Sequence, residues 1–433
     1  MKVSIFTLGC KVNQHETAAL ERELRLRGHE LTPFEEGADA YIINTCTVTA
    51  VSDKKSRGLI RRARKWAPHG VVGVCGCYGQ TDPEAVEALG VDLIAGTAGR
   101  MAFLDRLEEL HGGGAPEYGA AVMVDEALRR REFERLSAGG MEGRTRATLK
   151  VEDGCANFCT YCIIPYARGP VRSLPAEEAA VQARELADEG YRELVVTGIE
   201  ISSWGRDLHN GQTLPDLLEA VCTAVPGLRV RLGSLEPRTI TEEFCRRMSA
   251  LPNLCPHFHL SLQSGCDETL ARMGRKYTVQ RYYQSVELLR QWFDTPAITT
   301  DLIVGFPGET EEEFVQTLDF LRRCAFSSMH IFPYSRRRGT PAAAMSDQIP
   351  RAVQEERARQ AAAVATEMEK QYLSGLVGRT LPVLFETEKD GLWQGHAPNY
   401  VPVRAVGEHL HNVLCHVLVE EVDGSALMGR IVG

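Results

Sequence analysis

Three cysteines lie close together in the stretch GCANFCTYC, which begins at Gly154. Cys155, Cys159 and Cys162 have a three–two spacing, and no fourth cysteine follows nearby. A structural zinc site and a fully protein-ligated iron–sulfur cluster each use four protein ligands. Zinc would require another cysteine or histidine close by, and the next histidine is His209. The trio therefore favours a [4Fe–4S] cluster that leaves one iron open to a small molecule.

A second set of cysteines is dispersed over the first 80 or so residues. Cys10, Cys46 and Cys77 each come two residues after a predicted strand, in VSIFTL, AYIIN and VVGVC respectively. Helical patterns separate these strands, so the segment predicts a parallel sheet whose strands all end at one edge. We expect the three cysteines to converge there as a second trio. Cys75 lies inside the third strand and is interpreted as a core residue, with replacement of Cys77 as ligand left open.

The chain has 433 residues, which is too many for one typical hydrophobic core. The elements that must position these cysteines divide it into three segments. Residues 1–140 predict an N-terminal parallel-sheet α/β domain. Residues 141–373 contain six strand–helix units, which predict a partial (β/α)6 barrel, short of the eight units of a closed TIM barrel. An incomplete barrel leaves a wide lateral opening suited to a large substrate. Residues 374–433 predict a small antiparallel β-barrel of about five strands.

The bulk composition is typical of a soluble globular protein, with 44% hydrophobic residues, and the net charge is −9. No apolar run reaches a membrane span and no signal peptide is recognisable, so we expect a cytoplasmic location. Thirteen cysteines in a reducing compartment indicate metal ligands rather than disulfides. Three basic clusters, Lys54–Lys65, Arg129–Arg135 and Ser335–Gly339, indicate either a polyanionic partner or solvated helix faces.

Side chains that follow the barrel strands are candidates for cofactor contact, because active sites of such barrels lie at the carboxyl ends of the strands. The alternatives are turn formation for the glycines and surface exposure for Glu200. Two aromatic residues inside the cysteine loop could shield a cluster or stack on adenine. The candidate set is Phe158, Tyr161, Gly198, Glu200, Ser234, Glu236, Gln263, Gly305 and Tyr334.

Two arginines follow the cysteine loop in PYARGPVR, Arg168 and Arg172. They either contact a phosphate of a nucleic acid or cap the following helix. We favour the phosphate contact, since such contacts supply most of the affinity of a protein for nucleic acid.

The CxxxCxxC stretch after the first barrel strand resembles the signature of the radical S-adenosylmethionine superfamily. The whole chain resembles the methylthiotransferases, which end in a TRAM barrel, through TLGCKVNQHE, NTCTV, CGCYGQ, LGSLEP, HLSLQSG, DLIVGFPGET and PYSRRRGTPAA. LGCKVNQ and NTCTVTAVSDKKSR are most similar to the branch that acts on N6-threonylcarbamoyladenosine beside the anticodon of certain tRNAs.

This resemblance implies two [4Fe–4S] clusters and S-adenosylmethionine as cofactors. Cys155, Cys159 and Cys162 would hold the cluster that cleaves S-adenosylmethionine to a radical. Cys10, Cys46 and Cys77 would hold a second cluster, which carries the sulfur to be inserted. The partners implied are a tRNA anticodon loop, an electron donor and a sulfur donor, with no membrane. No catalytic side chain beyond the cluster ligands is implied.

Three alternatives remain at this point. The same chemistry could act on isopentenyl-adenosine in tRNA or on a ribosomal-protein aspartate. A non-catalytic iron–sulfur protein that binds RNA and senses redox state is the alternative from another class. The second trio and the intact motifs favour the enzyme, because a sensor needs neither.

Overall fold

The first sheet is parallel throughout and has six strands in the order β2-β1-β3-β4-β5-β6. The computed structural model describes residues 1–114, 119–137, 139 and 143–432, so the predicted boundary at 140/141 and residue 433 lie outside the described residues. The elements are β1 (Lys2–Thr7), α1 (Lys11–Leu26), β2 (Glu30–Thr32), β3 (Ala40–Thr45), α2 (Ala50–Trp66), β4 (Val71–Gly76), α3 (Cys77–Thr81), α4 (Pro83–Glu87), β5 (Leu93–Ala95), α5 (Arg100–His111) and β6 (Ala121–Met123).

The central strands of this sheet carry the apolar runs that the sequence shows. Every residue of β3 and of β4 is buried, as expected for a parallel strand covered by helices on both faces. The three predicted strands are confirmed as β1, β3 and β4, and the short strands β2, β5 and β6 complete the sheet. Because β1, β3 and β4 are neighbours, the three loops that carry Cys10, Cys46 and Cys77 leave adjacent strands.

The second sheet system is a barrel that does not close. It consists of β7 (Arg146–Lys150), β8 (Glu152–Asp153), α6 (Ile164–Arg168), β9 (Arg172–Ser173), α7 (Ala176–Asp188), β10 (Glu193–Thr197), α8 (Leu214–Ala224), β11 (Arg229–Leu232), β12 (Ser234–Leu235), α9 (Glu242–Ser249), β13 (His257–Leu260), α10 (Asp267–Arg272), α11 (Val279–Trp292), β14 (Ala297–Val304), α12 (Glu311–Cys324), β15 (Ser328–Pro333) and α13 (Arg351–Ser374).

The barrel strands form two parallel sheets, β11-β10-β7 and β12-β13-β14-β15, which meet where Gly233 separates β11 from β12. The strands β7 and β15 are therefore the outer edges, and the six predicted β/α units are confirmed. Helix α1 of the first segment lies along the β7 edge, where His15 Nδ1 bonds the Thr148 carbonyl oxygen at 2.9 Å. One flank of the lateral opening is thus covered by the N-terminal sheet rather than open to solvent.

The C-terminal strands form a closed five-stranded barrel from β16 (Thr380–Lys389), β17 (Leu392–His396), β18 (Pro402–Val406), β19 (Leu414–Asp423) and β20 (Ala426–Ile431). Four of its strand pairs are antiparallel, as expected, and β18 pairs with β20 in parallel. This barrel docks on the amino end of the open barrel, where Arg231 donates to the Pro398 carbonyl oxygen at 2.7 Å. No helix among the described residues is long and apolar enough to cross a membrane.

A buried ionic network joins the first sheet to the open barrel. Glu16 of α1 is fully buried and pairs with Arg100 at 2.7 Å, with Lys150 at 3.0 Å and with Arg168 at 2.6 Å. Asp153 pairs with the same lysine and arginine at 2.9 and 3.2 Å. Burial alone would raise the pKa of Glu16, but the surrounding cations outweigh it and hold that pKa well below its usual value.

We predict that Glu16→Gln destabilises the protein by about 3–5 kcal/mol, because removing one partner leaves buried cations uncompensated. Thermal and denaturant unfolding measure the effect. Glu243→Gln is the matched control, since Glu243 pairs with Arg246 on the surface and both side chains are about 60% exposed. The control should lose less than about 1 kcal/mol. Equal losses in the two variants would contradict a special role of the buried network.

Candidate functional site

Cys10, Cys46 and Cys77 meet at the carboxyl edge of the first sheet. Cys10 precedes α1, Cys46 follows β3 directly, and Cys77 is the first residue of α3. Cys46 and Cys77 are buried and Cys10 is exposed. Burial raises the pKa of Cys77 to about 12, and the charges of Cys46 and Cys10 add to the rise while Arg168 opposes it. The three sulfurs are therefore close enough to influence one another electrostatically.

The approach of the first loop to Cys46 depends on Gly9. This residue has φ +108°, which L side chains rarely adopt. A Cβ atom at Gly9 would lie 2.8 Å from the Cys46 Cβ and 3.2 Å from its sulfur. Glycine is thus the residue that lets Cys10 and Cys46 share one site.

Cys155, Cys159 and Cys162 lie in the loop between β8 and α6, at the carboxyl end of β7. The Cys162 amide donates to the Cys159 carbonyl oxygen at 2.9 Å, which folds the loop back on itself. Burial raises the pKa of Cys155 to about 12, and neighbouring charges that include Cys162 and Cys159 contribute to the rise. Gly154, at φ +97°, has no room for a Cβ, which would lie 2.0 Å from the Pro170 carbonyl oxygen.

The donor sets fit clusters better than single ions. Within the described ranges, no group of three or more His, Cys, Asp or Glu side chains could hold one metal ion. The ligands of a [4Fe–4S] cluster bind different irons and stand farther apart than the ligands of one ion. Each trio consists of thiols alone, and thiolates are the usual ligands of such clusters. Cys75 packs fully buried in the core beneath the first sheet, so its thiol belongs to the apolar core.

A cavity of about 740 Å³ extends from Cys10 into the interior of the open barrel. Gly9 and Cys10 line one side of the cavity. Gly198, which follows β10, and Ser234, the first residue of β12, line another. The third side comes from residues 396–402 next to the C-terminal barrel. All three sheet systems therefore contribute to one chamber.

Glu200 and Glu236 lie beside the loop of the second trio. The Glu200 carboxylate accepts hydrogen bonds from Asn157 and Ser203, each at 3.0 Å, so it is tied to the cysteine loop rather than free at the surface. Glu236 receives two bonds of 2.9 Å from Arg238 and lines a small cleft together with Asn157 and Cys159.

The aromatic candidates separate into two places. Phe158 is 47% exposed and packs edge-on against Tyr166, with ring centroids 5.6 Å apart. Tyr161 and Tyr334 both pack edge-on against Phe306, with centroids 6.3 and 5.3 Å away. The Tyr334 hydroxyl is buried and has no hydrogen-bond partner among the described residues, so it is available to a ligand.

Two further candidates, Gly305 and Gln263, have backbone contacts within the fold. The Gly305 amide donates to Glu309 at 2.7 Å, and a Cβ there would collide with Gln354 of α13 at 2.4 Å. Gln263 has φ +71°, and its amide donates to the Asp301 carbonyl oxygen at 2.9 Å. Their backbones hold the barrel ends together.

The expected phosphate contacts of Arg168 and Arg172 are wrong. Arg168 is fully buried, pairs with Glu16 and donates to the Asn13 side chain at 2.7 Å. Arg172 is 3% exposed and lies 3.3 Å from Asp153. Both belong to the buried network, because an arginine in this position meets the carboxylates of α1 and β8 before it meets solvent.

Sequence reasoning missed two cations near the cysteines. Arg275 donates to the Cys159 sulfur at 3.4 Å, although it lies 116 residues away in the chain. Lys11 follows Cys10 directly and is half-buried, and burial together with Arg231 and Arg146 lowers its pKa to about 8. Nothing in the sequence around Arg275 distinguishes it from other surface arginines, whereas Lys11 is visible within the motif LGCKVNQ.

An open six-unit barrel with CxxxCxxC after its first strand defines a radical S-adenosylmethionine enzyme, and the family described as Radical SAM superfamily matches residues 149–321. Residues 2–96 match the description Uncharacterized protein family UPF0004. The chain is 41% identical to the threonylcarbamoyladenosine tRNA methylthiotransferase MtaB of Bacillus subtilis, over 93% of this chain and 89% of that relative. It is 34% identical to the tRNA-2-methylthio-N(6)-dimethylallyladenosine synthase of Desulfitobacterium hafniense, over 99% and 97%. The chain belongs to the radical SAM methylthiotransferase family.

The fold is also similar to a solved structure of the radical S-adenosylmethionine methyltransferase TsrM from Kitasatospora setae, which contains cobalamin and a [4Fe–4S] cluster. The TM-score is 0.58 at 16% identity, and the match covers 91% of this chain and 80% of that one. This likeness supports the architecture. The cofactors of the methylthiotransferase family are S-adenosylmethionine and [4Fe–4S] clusters.

We predict that the two trios hold separate clusters. Cys10→Ala should retain about half of the iron and still form some 5′-deoxyadenosine, because the Cys155 trio lies on a different sheet system. Cys155→Ala should lose both 5′-deoxyadenosine and methylthiolated product. Cys75→Ala is the matched control and should keep the full iron content. Iron per chain and products after anaerobic reconstitution measure these effects, and full iron in Cys10→Ala would contradict the assignment.

Proposed function

We propose that this protein converts N6-threonylcarbamoyladenosine next to the anticodon of tRNA to its 2-methylthio derivative. Six cysteines, Cys10, Cys46, Cys77, Cys155, Cys159 and Cys162, would hold two [4Fe–4S] clusters. The observation that carries the proposal is the 740 Å³ chamber, which Cys10 shares with the ends of barrel strands that face S-adenosylmethionine in this class. When bound, the clusters and S-adenosylmethionine supply the radical and the sulfur.

The protein's own residues position these groups and exclude water. Arg275 places a positive charge at the Cys159 sulfur, and Asn157 links the cysteine loop to Glu200. The packing of Phe158 on Tyr166 covers one side of the loop. Gly198, Ser234, Glu236 and Tyr334 are the remaining groups that we assign to S-adenosylmethionine, with Tyr161 in the aromatic cluster behind it. An electron donor and a sulfur donor complete the reaction in the cytoplasm.

The choice of nucleoside follows the relatives. The relative named for threonylcarbamoyladenosine is more similar to this chain than the one named for dimethylallyladenosine, and the motif LGCKVNQ agrees with this order. Methylthiolation of isopentenyl-adenosine or of a ribosomal-protein aspartate is therefore not favoured.

We predict that tRNA from a strain without this gene lacks 2-methylthio-N6-threonylcarbamoyladenosine and accumulates the unthiolated nucleoside. Mass spectrometry of digested tRNA measures both. The strain must contain no second enzyme of this kind, and the level of 2-methylthio isopentenyl-adenosine serves as the internal control. An unchanged level of the first nucleoside would disprove the substrate assignment and leave the radical chemistry intact.

The basic helix α2 is the best candidate for contact with the tRNA backbone. Arg61, Arg62 and Lys65 are exposed on it, and α2 begins four residues after Cys46. The other two basic clusters are largely paired within the protein: Arg135 binds Glu178 in one, and Arg337 binds Asp53 in the other. A target base must leave its stack to reach the chamber, so the backbone must be held nearby.

Neutralising Arg61, Arg62 and Lys65 together should weaken tRNA binding and flatten its salt dependence, because fewer counterions are released from phosphates. A control that replaces Arg246, Arg322 and Arg359 removes the same charge from exposed positions on the outer helices α9, α12 and α13. Filter binding over a range of salt concentrations compares the two variants. Identical slopes would show that α2 is only a solvated face.

A further inference from the structure

A second cavity, of about 290 Å³, adjoins the reaction chamber and is lined by cations. Its walls include Lys11, Arg144, Arg146 and Arg231, with Glu386 as the carboxylate among the lining residues. Lys11 and Tyr400 line both the small cavity and the large chamber, so the two spaces meet at these side chains. A group that extends from a base in the chamber would reach the small cavity past Lys11.

The arginines of this cavity are held in place by partners of their own. Arg146 forms a bidentate pair with Glu386 at 2.8 and 3.2 Å, and Arg231 forms one with Glu193 at 2.7 and 3.0 Å. Both guanidinium groups lie over the Tyr400 ring, 5.2 and 4.6 Å from its centroid. The ion pairs and the cation–π contacts thus hold both guanidinium groups in place on the Tyr400 ring.

Lys11 differs from these arginines. Its ammonium group makes no hydrogen bond or ion pair with any residue in the described part of the chain, although it is half-buried. The two arginines act on it with the same sign of charge, and Glu193 is the opposing carboxylate. Lys11 lines the cavity together with Arg146 and Arg231, so an anion bound there would offset the repulsion among the three cations.

We propose that the cavity between Lys11, Arg146 and Arg231 binds the carboxylate of the threonylcarbamoyl group, which makes Lys11 a specificity-determining residue. This inference rests on the proposed function. A substrate with a neutral hydrocarbon chain would leave the Lys11 ammonium unpaired after water had been displaced, so such a site rejects the uncharged analogue more strongly than an apolar pocket would. Lys11 follows Cys10 directly, so the charged substituent would be bound beside the first trio.

The test compares two anticodon stem–loop RNAs, one with N6-threonylcarbamoyladenosine and one with its threonine carboxamide, which has the same shape and no charge. The reconstituted wild-type enzyme should prefer the acid about tenfold to a hundredfold in kcat/KM, the range expected for a charged hydrogen-bonded contact. In Lys11→Met this ratio should fall towards one, because the acid loses far more than the amide. Lys11→Arg should keep most of the preference.

Separate readouts distinguish this contact from damage to the neighbouring cluster. Iron content and the electron paramagnetic resonance signals of both clusters are measured for each variant. If Lys11→Met loses a cluster, Arg146→Met replaces it as the test variant, since Arg146 lines the same cavity and, unlike Lys11, is not adjacent in the chain to a cysteine of the trios. A retained preference in that variant would then overturn the proposal.

The other source of a carboxylate is S-adenosylmethionine. If the cavity binds that group, the variants raise the KM for S-adenosylmethionine and leave the preference for acid over amide intact, which overturns the proposal. Equal use of both RNAs by the wild type also overturns it, while methylthiolation of the natural base keeps the proposed function. Failure of the proposed function itself appears differently, as absence of methylthiolation on either RNA by an enzyme that still cleaves S-adenosylmethionine.

Discussion

The buried carboxylate of Glu16 is the interaction on which the arrangement of the two cysteine trios depends. It lies on the helix that begins beside Cys10, and it binds Arg168, which follows the loop of Cys155 to Cys162. Charges that are removed from water are stable only when they are paired, so neither sheet system can move away without exposing the other's uncompensated charge. The relative position of the two cysteine loops is therefore set by electrostatics and not by apolar packing alone.

The same network supplies a surplus of positive charge close to the first trio. Arg168 acts on the thiols of both Cys77 and Cys46 in the direction that favours the thiolate. Thiolates are the form that binds iron, and a cluster held by three of them adds negative charge to a buried place. A cation that belongs to the barrel thus stabilises the charged form of two thiols in the N-terminal sheet.

The sequence predicted the architecture well because the signals were periodic and local. Apolar runs such as AYIIN and VVGVC correspond to the fully buried strands β3 and β4, and the cysteines follow them at a regular distance. It failed for Arg168 and Arg172, since a basic residue near a ligand-binding loop has the same sequence signature whether it contacts phosphate or a buried carboxylate. It also missed the contact of Arg275 with Cys159 and the cavity beside Lys11, because both depend on segments that are far apart in the chain. Glu16, the first residue of ETAALERE, lies on the buried face of α1 together with alanine and leucine, and this position was the available sign of a buried ionic partner.

The distribution of the network along the chain also bears on the order of events during synthesis. Glu16 and Arg100 leave the ribosome well before Lys150, Asp153 and Arg168, and domains begin to fold as their sequence emerges. In that interval Glu16 has Arg100 as a partner but lacks the two cations of the barrel. The arrival of the barrel's first strand and cysteine loop supplies them, as Lys150 and Arg168. The first sheet therefore reaches its full set of ion pairs only after the barrel's first strand and cysteine loop have been synthesised.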